Sequence, residues 1–74
     1  MTLDELKPGA CGRICACTGI SERLCEIGLL PGEFIEVVRV APLGDPIALK
    51  IKDCQIAIRR SDANRIAVEV VLNR

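Results

Sequence analysis

The stretch Leu29–Ile51, LLPGEFIEVVRVAPLGDPIALKI, sets turn-forming residues against strand-forming ones and decides the fold class. Within Glu33–Val40 the apolar residues are Phe, Ile and Val only, the types that suit a pleated surface. Pro31-Gly32 fits the central positions of a type II turn, where Pro presets φ and Gly accepts a positive φ. The loop Ala41–Pro46 holds two prolines, a glycine and an aspartate, so it can be ordered at low entropic cost. Leu43 stands at its tip, an apolar residue where a plain turn would be polar. Ile47–Lys52 then returns as the second strand of a hairpin.

Outward from this hairpin the elements are short. Leu3–Leu6 predicts one helical turn that Pro8-Gly9 ends, and Gly12–Thr18 predicts the first strand. Ser21 is a good helix N-cap, Glu22 lies in the favourable first turn, and Gly28 fits the C-terminal end. Ile20, Leu24 and Ile27 recur at helical spacing and so share a face expected to be buried. Asp53-Cys54 predicts a tight connection to a strand Gln55–Arg59, Ser61-Asp62 caps a further turn, and Ile66–Leu72 is the last strand. Five short strands with a helix between the first two, and a helical turn before the last, predict a small SH3-like barrel. No repeat or linker divides the chain, so residues 1–74 form one domain.

Size and composition narrow the function. A chain of 74 residues buries only about 60% of the surface that its unfolded form exposes, and half of its residues are apolar. Ten Lys and Arg balance ten Asp and Glu, which leaves no basic footprint for nucleic acid. Phe34 is the sole aromatic residue, so base stacking on an aromatic platform has no support. No segment approaches ~20 uninterrupted apolar residues, and the start MTLDELKPG has neither the basic nor the apolar region of a signal peptide. A cytoplasmic location without membrane insertion is expected.

Catalysis is not expected. The chain has no His, the usual near-neutral base, no phosphate-cradling glycine motif, and carboxylates scattered over predicted surfaces. The cysteines 11, 15, 17, 25 and 54 are the other chemical signal. On a regular strand Cys15 and Cys17 share a face about 7 Å apart, near enough to hold one Zn or Fe(II) ion. No CxxC knuckle accompanies them, and an odd number of cysteines does not complete a disulfide framework. Against the metal reading, free cysteines serve as small buried hydrophobes in a reducing cytosol, with any captured metal substoichiometric and no cofactor required.

Gly28-Leu29-Leu30-Pro31-Gly32, the block Val37–Ile47 (VVRVAPLGDPI), Ile58-Arg59-Arg60, and a looser frame of Pro8-Gly9, Gly12, Ile14 and Gly19 together resemble the FeoA family of ferrous-iron transport. The resemblance spans nearly the whole chain and implies the same SH3-like architecture. In that pattern Cys17 takes a position where an aliphatic core residue is usual. It implies an accessory or regulatory role toward FeoB, a ferrous-iron permease with a cytosolic GTPase domain. A cysteine-based metal-binding or metal-sensing module, and an SH3-like domain working with an iron-dependent regulator, are the alternatives.

For such an accessory role the apolar residues near turns are the candidate partner-binding set: Leu29, Leu30, Pro31, Pro42 and Leu43. The competing reading has Leu29 and Leu30 closing the barrel end and Leu43 folding back over Phe34. Arg39 and the pair Arg59-Arg60 invite an anionic partner, against the commoner reading of a solvated strand end, which the balanced charge favours. Val70, Val71 and Leu72 place apolar side chains on both faces of the last strand, which makes that strand a candidate self-association edge.

Overall fold

The strands form one antiparallel sheet in the order β4-β3-β2-β1-β5, as seen in a computed structural model that describes residues 1–71. They are β1 (Cys11–Cys17), β2 (Phe34–Val40), β3 (Ile47–Ile51), β4 (Cys54–Ile58) and β5 (Ile66–Val71). Helix α1 (Glu22–Ile27) lies between β1 and β2, and the four-residue α2 (Arg60–Ala63) precedes β5. The order matches the SH3-like expectation, with one difference. Among the described residues β4 and β5 are the two ends of the sheet and do not pair, so the barrel is open.

Local chemistry explains most of the elements. Ser21 Oγ accepts a hydrogen bond from the Leu24 amide at the start of α1. Gly28, at φ 127°, ends the helix while its own amide donates back to the Cys25 carbonyl. A side chain at that φ is strained, which is why glycine serves there. Gly32, at φ 94°, completes the turn that the Glu33 amide closes on the Leu30 carbonyl.

Alternation then fills the interior. Ile14 from β1, Ile35 and Val37 from β2, Ile47, Leu49 and Ile51 from β3, Ile58 from β4, and Ile66 and Val68 from β5 all point inward. Leu3, Leu6, Leu29 and Ala63 close the core from outside the sheet. Burying a side chain of this kind contributes about 1.5–3 kcal/mol. The face of α1 is less enclosed than its pattern predicts: Ile20, Leu24 and Ile27 pack against the core but are only half-buried.

Two further expectations are corrected. The β3–β4 turn is Lys52-Asp53, not Asp53-Cys54, because Ile51 pairs with Cys54. Lys52 carries the positive φ of 54° that this two-residue turn needs. Ser61 does not cap α2. The cap position is Arg59, and the free amide of Arg60 is met by the Asp45 carboxylate of the distant β2–β3 loop.

Candidate functional site

The β2–β3 loop is held at several points. The Gly44 amide donates to the Ala41 carbonyl at 2.7 Å, and the Ala41 amide to the Pro46 carbonyl at 3.1 Å. Asp45 Oδ1 accepts from the Arg60 amide at 2.8 Å, and Arg60 Nη1 reaches the Gly44 carbonyl at 3.4 Å. The Asp45–Pro46 peptide is cis. On this tied frame Leu43 is 96% exposed. It does not fold over Phe34, which is itself 59% exposed on the outer face of β2. An ordered loop that presents a bare leucine is a ready contact surface, since little freedom remains to be lost on binding.

The five candidate binding residues do not form one patch. Leu29 is fully buried beneath α1 and the sheet, so it belongs to the core and is removed from the set. Its position follows from the helix end: the Leu29 amide bonds to the Leu24 carbonyl, which turns the side chain inward. Leu30 is 44% exposed and Pro31 is exposed, at the beginning of β2. Pro42 and Leu43 are exposed at its other end. Seven strand residues separate the two groups, a span of up to about 20 Å.

Sequence pattern alone passed over Phe34 and Val38. Both are exposed, because Ile35 and Val37 take the inward positions of β2. The signal was present in the alternation: once Ile35 and Val37 are assigned to the core, Phe34 must face out.

The cysteines are also rearranged. β1 has a bulge between Ile14 and Ala16, which pair with Val68 and Ala67 in succession. The extra residue is Cys15, so the in–out phase slips and Cys15 and Cys17 no longer share a face. Cys15 is exposed, whereas Cys17 packs against the core and directs its thiol to the Leu29 carbonyl at 3.4 Å. Burial pushes the Cys17 thiol up from its ordinary pKa, and the nearby Cys25 adds to the effect. Among the described residues no three His, Cys, Asp or Glu side chains gather as a metal site.

No helix among the described residues is long and apolar enough to cross a membrane. The family model for the FeoA domain matches residues 1–70. A fusion of Fe(2+) transport protein A with the Fe(2+) transporter FeoB, from Porphyromonas gingivalis, is 38% identical over 96% of this chain. The chain spans only 9% of that fusion protein. The solution structure of iron(II) transport protein A from Clostridium thermocellum is 46% identical, with a TM-score of 0.89 over 96% of this chain and 46% of its own. The crystal structure of Stenotrophomonas maltophilia FeoA, a procaryotic SH3 domain protein complexed with zinc, is 28% identical. Its TM-score is 0.81 over 93% of this chain and 89% of its own. With a family match across almost its whole length, the chain belongs to the FeoA family.

Proposed function

We propose that this domain is a cytoplasmic accessory module of ferrous-iron transport that binds the cytosolic, GTPase-bearing part of a FeoB-type permease. The observation that carries the reading is Leu43, a fully presented leucine on a loop held by backbone and side-chain hydrogen bonds. Such a residue inserts into a partner's apolar pocket with little ordering cost. The existence of a relative in which a domain of this family and FeoB share one chain supports the choice of partner. Tethering would raise the local concentration of the two parts, so even a modest contact would be occupied.

The role needs no chemistry of its own and no cofactor. Leu43 and Pro42 supply the contact, with Leu30 and Pro31 at the far end of β2 as a separate patch. Binding of the domain to the cytosolic part of the cognate permease, with and without nucleotide and Fe(II), tests the proposal. Leu43→Asp is expected to abolish binding without changing the melting temperature. Absence of binding in every condition overturns the proposal.

A further inference from the structure

An open sheet has two edges, and they are treated differently in this domain. β5 is partly covered by the N-terminus: the Val68 amide donates to the Met1 carbonyl at 2.8 Å, and Thr2 bridges Ala67. β4 is bare among the described residues, pairing only with β3. The closing pair of the two-residue hairpin, Ile51 and Cys54, is a hydrogen-bonded one, and the alternation continues through Leu49–Ile56 and Ile47–Ile58. The amides and carbonyls of Gln55 and Ala57 therefore point away from the sheet. Natural edges are blunted by Lys, Pro or a bulge, and β4, CQIAI, has none of these.

Beside this edge lies a groove of about 410 Å³, floored by Leu24 and Ile27 of α1 and by Ile56 and Ile58 of β4. Arg23 and Arg59 line it, and neither has a carboxylate partner among the described residues. Asp62 is the acidic residue of the lining. A second depression of about 270 Å³ continues past Ala57 and Arg59 to Asp45-Pro46, the base of the Leu43 loop. Edge, groove and loop thus form one continuous track.

We propose that β4 receives an extended segment of the partner protein as a sixth strand. That segment pairs with the Gln55 and Ala57 backbone, seats an apolar side chain against Leu24 and Ile56, and places a carboxylate near Arg23 and Arg59. One end of it reaches the Leu43 loop. This is strand addition, in which backbone bonds supply affinity and the adjoining groove supplies selectivity. The inference rests on the permease as partner and names the surface by which it is held.

Amide hydrogen exchange of the full chain, alone and with the FeoB-type permease in lipid nanodiscs, tests it. The Gln55 and Ala57 amides are expected to slow at least tenfold on binding. Ala57→Pro removes an amide that the fold does not use, and is expected to weaken binding at least tenfold while the melting temperature moves by only a few degrees. If that variant unfolds, the double variant Arg23→Glu, Arg59→Glu carries the same test through charge. Binding with protection confined to the Leu43 loop, unaffected by these variants, overturns strand addition but keeps the permease as partner. No binding at all overturns both. Concentration-dependent protection of the same amides without permease, with a dimer in sedimentation, assigns the edge to a second copy and overturns the inference.

Discussion

Asp45 caps the helix at Arg60 from fifteen residues away, its Oδ1 2.8 Å from the Arg60 amide. Arg60 returns the contact through its guanidinium, which reaches the Gly44 carbonyl and lies 3.9 Å from the Asp4 carboxylate. The β2–β3 loop, α2 and the N-terminal turn are thereby joined at one point. The loop that presents Leu43 is held from below by a residue whose role is structural. Asp45→Ala is expected to cost about 1 kcal/mol, the usual value of a helix cap, and to lower the melting temperature by about 4–8 °C. Thermal unfolding measures the loss, and faster amide exchange at Gly44 reports the loosened loop.

Leu29 and Leu43 separate stability from binding. Leu29 has no solvent exposure, so Leu29→Ala leaves a cavity and is expected to cost about 2–5 kcal/mol in denaturant unfolding. Leu43→Ala removes an almost fully exposed side chain and is expected to stay within about 0.5 kcal/mol of the parent. A large loss of stability at Leu43 would mean that its side chain is covered in solution.

The thiols are expected to differ in reactivity. Cys15 and Cys54 are exposed and should be alkylated first at mildly alkaline pH. Cys17 should be last, because burial, with Cys25 beside it, holds its thiol protonated above the ordinary range. The proton is bound more tightly in the folded state than in the unfolded chain. The corresponding stability is full below the unfolded thiol's pKa and is lost as pH rises through the folded one. Cys17→Ala should flatten that alkaline decline, measured by urea unfolding at a series of pH values.

Acid should act through Asp4. Burial raises its pKa, but hydrogen bonds from Thr2, from Asn64 and from its own backbone, with the Arg60 charge, outweigh burial and hold it below the usual carboxylate range. Stability from this group is present above the unfolded carboxylate pKa and is lost as pH falls through the depressed folded value. Asp4→Asn should remove this part of the acid dependence, and parallel unfolding curves for both proteins at falling pH check it.

Much of the architecture was legible because its causes are local. Ser21 and Gly28 bound α1, Pro31-Gly32 turns into β2, and the β-branched run through Val40 makes a strand whatever lies elsewhere. Composition likewise fixed one chemical point, since the chain has no histidine and no folding can supply that near-neutral base. The quoted motifs around Leu30-Pro31 and Leu43 carried the family resemblance, and the FeoA match over residues 1–70 bears it out.

What the sequence left open depends on which distant residues meet. The bulge at Cys15 comes from the pairing of β1 with β5, and it parts the two cysteines that strand alternation would place together. Leu29 and Leu30 are adjacent and identical in kind, yet the helix-end hydrogen bond buries one and leaves the other half in water. Local pattern points to Ser61 as the cap of α2, whereas Asp45 supplies it from across the fold. Among the described residues the edge of β4 is bare because the sheet ends there, while the N-terminus partly covers the other end. Local propensity determined the strands and turns of this protein. Long-range pairing and burial decided which faces they show, because a side chain's exposure is set by what packs against it.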